Sequence, residues 1–192
     1  MSGMTVAQRM TVGEFFELDV PRHSTLVEGE VVLNSPRHLH QAVERDLMFA
    51  LEVWRRAEPG RGEACCRLGT VLDERNYYEP DVIWYRTGRE PPRESTLQPL
   101  PDIAAEIRSP SIWRFDIGPK MRRYEQYGLP ELWLVDTAAD EILVYRRSIP
   151  KAPVFDISLQ LARGDALTSP QLPGFSLPLD KLFGPAPGDA TG

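Results

Sequence analysis

Residues 103–136 read IAAEIRSPSIWRFDIGPKMRRYEQYGLPELWLVD, and the order of patterns within them decides the fold class. Ile103 to Ile107 is an apolar run of strand length. From Phe115 to Tyr127 the pattern turns helical, with Ile117, Met121 and Tyr124 at helical spacing and Gly128 as a stop signal. Leu132 to Val135 is again an apolar run of strand length. A helix set between strand runs predicts an α/β core with a mixed β-sheet flanked by helices.

Upstream lie two more β-rich runs, Ala64 to Leu72 and Asp81 to Tyr85, with a Pro- and Glu-rich loop over residues 87–100 before Ile103. Leu39, Val43, Leu47, Ala50, Leu51 and Trp54 recur every three or four residues, which predicts a long amphipathic helix stopped near residue 57 by Pro59-Gly60. Thr25 to Val27 and Val31 to Leu33 flank Glu28-Gly29 and read as an N-terminal hairpin. Thr11 and Glu14 have capping-box spacing and open a short helix over residues 12–19. Downstream, Ile142 to Tyr145 is a strand, and residues 153–182 add C-terminal strand-like and Pro-rich segments. One domain over 1–183 with a loose tail at 184–192 is the expected organisation.

With 28 acidic and 22 basic residues in 192, the net charge is -6, so the molecule as a whole lacks the electrostatics of a general nucleic-acid binder. Any contact with phosphate must be local. Cys65 and Cys66 are adjacent, which rules out a disulfide framework and the two-residue spacer of a zinc or redox motif. They point to opposite faces of a strand, with one expected to be buried, and carry no assigned chemistry. No apolar stretch approaches the roughly 20 residues that cross a bilayer, and no leader pattern opens the chain. A cytoplasmic protein without membrane contact is expected.

Two strands carry acids in apolar company: Asp81 before Val82-Ile83-Trp84, and Glu106 between Ala105 and Ile107. Carboxylates in such settings are costly unless paired or metal-bound, and Mg²⁺ favours a few carboxylates plus waters. Either Asp81 and Glu106 hold a cation, or Glu106 faces solvent and Asp81 caps a turn. Arg108, Arg114, Lys120, Arg122 and Arg123 make a basic strip opposed only by Asp116, suited to gathering a phosphate backbone or to forming a solvated helix face. Asp116 and Lys120 are spaced as an ordinary i, i+4 pair. His38 and His40 open the long helix without enough neighbouring ligands for zinc, and His40 is a candidate phosphate contact.

Pro80-Asp81, Glu106-Ile107-Arg108-Ser109-Pro110-Ser111, Asp116, Lys120, Tyr124, Gly128, Pro130-Glu131 and Trp133-Leu134-Val135-Asp136 together resemble the Uma-type endonuclease family, a branch of the PD-(D/E)XK nuclease superfamily. Gly29-Glu30, Ser35-Pro36, His40, Leu172-Pro173-Gly174 and Leu182-Phe183 extend the resemblance over nearly the whole chain. It implies a restriction-endonuclease-like core in which Asp81 and Glu106 bind Mg²⁺ or Mn²⁺, with Glu30 as a third metal-binding acid. The superfamily places a Lys two residues after the Glu, and here that position is Arg108, which stays charged and cannot act as a base. The resemblance implies that its role passes to Lys120, which would position or deprotonate the attacking water. Arg108, Arg114, Arg123 and His40 would then bind phosphate.

The sequence therefore predicts a metal-dependent endonuclease acting on DNA, with Asp81, Glu106 and Lys120 catalytic. A homodimer would supply two sites for two strands. The alternative is a non-catalytic nucleic-acid- or protein-binding module that retains the endonuclease-like fold.

Overall fold

Thr11 accepts a hydrogen bond from the Glu14 amide at 3.2 Å while Glu14 Oε2 accepts from the Thr11 amide at 2.7 Å, and this closed capping box starts α1 (Val12–Phe16). The structure is a computed structural model that describes residues 9–19, 21, 23–33, 36–95 and 97–184. Ser35 and the tail from residue 185 lie outside the described residues. The hairpin follows as β1 (Ser24–Val27) and β2 (Glu30–Leu33). Its turn places Glu28 and Gly29 at φ of 51° and 80°, the two left-handed positions that a two-residue hairpin with native twist requires.

The long helix α2 (His38–Ala57) turns Val43, Leu47, Leu51 and Trp54 inward. They pack on one face of a six-stranded sheet formed by β3 (Glu63–Cys66), β6 (Val82–Tyr85), β7 (Ile103–Ile107), β8 (Glu131–Asp136), β9 (Glu141–Arg146) and β10 (Ile157–Leu161). Its order is β10-β9-β8-β7-β6-β3, with β7 and β8 parallel and every other pair antiparallel, so the predicted mixed sheet is present. A second sheet joins β1 and β2 to β4 (Thr70–Asp73) and β5 (Asn76–Tyr78). The opposite face of the large sheet is covered by α3 (Trp113–Phe115), a π-helical turn over Asp116–Lys120 and α4 (Met121–Gln126), through Ile112, Tyr124 and Leu129. Because both faces are covered, every residue of β7 is buried.

Three expectations are corrected. Residues 64–72 are two strands rather than one: β3 pairs with β6 in the large sheet, while β4 pairs with β5 in the small one. The break falls at Arg67, whose φ is 50° and whose amide donates to Pro80 O at 3.1 Å. The helical run expected from Phe115 begins earlier, at Trp113, and Pro119, which has no N–H to give an α-helical bond, sits in the π turn. The C-terminal segment contains β11 (Ala166–Leu167), β12 (Leu177–Pro178) and a helix, α5 (Leu179–Phe183), which packs Leu179, Leu182 and Phe183 into the core shared with α2.

Gly62 holds φ of 70° just before β3, and a Cβ there would collide with the Tyr85 carbonyl oxygen on β6. Gly62→Ala is therefore expected to cost about 1–3 kcal/mol, measured as a lowered urea midpoint at unchanged m-value. A neutral substitution would mean that this edge of the sheet yields freely.

Candidate active site

Alternation along β7 sends Ile103, Ala105 and Ile107 toward α2 and leaves Glu106 on the face covered by α4. Asp81 immediately precedes β6, whose Val82 is the register partner of Ala105, so adjacent antiparallel strands bring the two acids together. Asp81 Oδ2 accepts from the Ile107 amide at 2.8 Å and lies 3.1 Å from His40 Nε2. Glu106 Oε1 accepts from the Tyr124 hydroxyl at 2.7 Å, and Oε2 accepts from Lys120 Nζ at 3.1 Å. Lys120 Nζ also stands 2.8 Å from Asp116 Oδ1. Asp116, Lys120 and Tyr124 recur every four residues and so share one helical face. That face is not solvated: Asp116 is 0%, Lys120 1% and Glu106 1% exposed.

A family model described as "putative restriction endonuclease", Uma2, matches residues 12–180. The chain belongs to the Uma2 family. A crystal structure described as a "putative nuclease belonging to DUF820", from Anabaena variabilis, is 19% identical to this Uma2 chain. The match covers 91% of this chain and 97% of that one with a TM-score of 0.76, which establishes a shared fold. No curated protein matches the sequence.

In this Uma2 protein three carboxylates, Asp81, Glu106 and Asp116, share the buried region with one ammonium. Burial pushes Glu106 up to about 8; Lys120 opposes that shift, while Asp116 and Asp81 reinforce it. Burial likewise raises Asp116 against the pull of Lys120. For Lys120, burial alone would lower the value, but Asp116 and Glu106 outweigh it and hold the ammonium charged. Lys120 therefore stands as a hydrogen-bond donor between two buried acids, both of which favour its charged form. Neither oxygen of Asp116 accepts an aligned hydrogen bond among the described residues, despite the close Lys120 contact.

A raised carboxyl favours the protonated fold, so its stabilisation is complete below the ordinary value of 4.5 and is lost as pH rises through about 8. Metal-free protein should lose stability across that window, and Glu106→Gln should flatten the slope. Urea midpoints measured in chelator across the same pH range check this, and parallel slopes for the two proteins would refute it.

The remaining predicted residues scatter. Arg108 spends both of its close contacts on Asp136, Nη1 donating at 2.8 Å to each carboxylate oxygen, and its guanidinium lies over Trp113. It still lines a cavity of about 320 Å³ with Arg37, His40 and Pro110. Arg114 is exposed and rests on the Phe115 ring, whereas Arg123 is held by Gln126 and Glu28. Glu30 is exposed at the start of β2, and no contact joins it to Asp81 or Glu106 among the described residues. His40 is buried, and beside it stands an acid that the sequence reading missed, Glu44, one turn further along α2. One ligand atom each from His40, Glu44 and Asp81 lies within 4.8 Å of the others. The i, i+4 spacing of His40 and Glu44 was the available signal. Both cysteines are half-buried, and burial pushes each thiol up to about 11.

Proposed function

We propose that this protein is a divalent-metal-dependent nuclease that hydrolyses phosphodiester bonds of DNA. The observation that carries the reading is the buried charge balance: Glu106 and Asp116 share the single ammonium of Lys120 and Asp81 is buried on the adjoining strand, so the three acids, when ionised, outnumber that ammonium by two charges. A buried excess of that size is costly unless protons or a cation offset it, and Asp116 retains an oxygen without a hydrogen-bond partner among the described residues. Carboxylate ligands suit Mg²⁺ or Mn²⁺.

Asp81 and Glu106 would hold the ion. When bound, it supplies charge neutralisation at the scissile phosphate and a water of lowered pKa. Lys120, kept protonated by Asp116 and Glu106, adds a fixed donor beside the place where phosphate charge grows. Tyr124 orients Glu106 through Oε1. Arg114 and Arg122, both exposed on the same helical run, are available to gather the backbone. The family description supports DNA as the substrate, and a two-fold dimer would present two sites to two strands.

One observation favours the non-catalytic reading: Arg108, at the usual lysine position, is turned away to Asp136. A single assay decides between the two. Supercoiled plasmid, linear duplex and single-stranded DNA are incubated with protein and Mg²⁺, Mn²⁺ or chelator. Cleavage that needs metal supports the proposal; intact DNA under every metal condition leaves the scaffold reading.

A further inference from the structure

We propose that the outward face of α2 is a homodimer interface, on which a second copy of this chain packs its own α2 antiparallel across a two-fold axis at Phe49. The proposal goes beyond the nuclease reading, which assigns no surface to a dimer, and it does not depend on DNA cleavage. Its starting point is the helix itself. Val43, Leu47, Leu51 and Trp54 turn into the core, so the residues half a turn away from them face outward. Arg45, Phe49 and Val53 follow one another there at four-residue intervals, with Arg56 one turn further on, and all four are exposed. Phe49 is 69% and Val53 55% exposed.

A single exposed apolar side chain is ordinary on a protein surface. Here two of them form one ridge, and a groove runs along each flank. One groove, of about 690 Å³, lies between Phe49, Val53 and Met48 on α2 and Cys66 on β3. The other, of about 670 Å³, lies between the same ridge and Phe175 and Leu177 of the C-terminal segment. A ridge set between two apolar grooves is complementary to a copy of itself: turned through 180°, the ridge of each chain enters a groove of the other, as packed helices do.

The charges point to the same occupant. Arg45, Arg56 and Arg67 border the first groove together with Glu44 and Glu52, so its rim carries both signs and favours neither a polyanion such as nucleic acid nor a peptide of one charge. An apolar centre with a mixed polar rim suits a protein surface of the same make-up. With the axis at Phe49, the two Phe49 rings meet at the centre, where a desolvated aromatic pair contributes most. Arg45 lies four residues before the axis and Glu52 three after it. Antiparallel pairing therefore brings Arg45 to within about 1.5 Å of the level of the partner subunit's Glu52 along the helix. Arg45 now pairs with its neighbour Asp46 at the surface, a contact weak enough to be exchanged for one across the interface.

The test is sedimentation velocity of the full chain over about 1–100 µM, which should show a particle of twice the mass of one chain. Phe49→Glu should weaken dimerisation at least about thirtyfold. Arg45→Glu sets a like charge against the partner subunit's Glu52 and should weaken it about tenfold, whereas Lys151→Glu, the same charge change at an exposed turn, should leave it unaltered. Circular dichroism checks that each variant is folded, and Val53→Glu supplies the same readout if Phe49→Glu is not. A monomer at every concentration, which would free this face for a different protein, overturns the proposal. So does a dimer of wild-type affinity in Phe49→Glu, or an Arg45→Glu dimer as tight as that of Lys151→Glu. DNA cleavage by a protein that is monomeric throughout would strike the dimer and keep the nuclease reading; a dimer that leaves DNA intact under every metal condition would do the reverse.

Discussion

Asp81→Asn is expected to reduce metal-dependent DNA cleavage by roughly 10²–10³-fold or more while leaving the chain folded. Loss of one preorganised charged group at a phosphoryl-transfer site removes transition-state stabilisation of that order. Asn is the informative replacement because it preserves an oxygen in the place of Oδ2, which accepts from the Ile107 amide at 2.8 Å and lies 3.1 Å from His40 Nε2. Asp81→Ala would leave both groups buried and unpaired, at about 1–3 kcal/mol for each, and would confuse lost chemistry with lost structure. The assay is initial cleavage rate against metal concentration, with circular dichroism to confirm folding. Cleavage at wild-type rate in Asp81→Asn would sink the site assignment.

Lys120→Met is expected to destabilise the protein by about 3–5 kcal/mol, the usual consequence of removing one partner from a buried ion pair. Met approximates the volume of the stem, so the loss isolates the charge rather than a cavity. Without the ammonium, Glu106 and Asp116 face each other in a region where both are almost wholly inaccessible. Adding Asp116→Asn to Lys120→Met should recover much of the loss, because the second change removes one of the stranded acids. Urea denaturation of the two single variants and the double variant measures the coupling. A cost below about 1 kcal/mol for Lys120→Met would mean that the carboxyls accept protons without penalty, and the charge argument for a bound cation would fall with it.

The strand, helix and strand of residues 103–136 were legible because their signals are local: a short apolar run, a helical repeat, and a Gly stop at Gly128, whose φ is 83°. The α2 stripe of Val43, Leu47, Leu51 and Trp54 was legible for the same reason. The division of residues 64–72 between two sheets was not. No breaker stands at Arg67, and its left-handed turn is set by partners distant in sequence, the Pro80 carbonyl and Glu44. Glu30 was singled out by its motif, yet the turn at Glu28-Gly29 leaves it at an exposed hairpin position. Glu44 was passed over because an acid between Val43 and Arg45 reads as the solvated side of a helix.

By itself the sequence determined the α/β class, the family, and the two strands that carry Asp81 and Glu106, since these depend on periodicity and motif order along the chain. Only the tertiary structure decided that Asp116 and Lys120 form a buried pair rather than an exposed one, that Lys120 lies between Asp116 and Glu106, and that His40 and Glu44 close on Asp81. Burial and charge depend on what packs across the sheet. His40 and Asp81 are 41 positions apart, and a contact at that separation has no local signature.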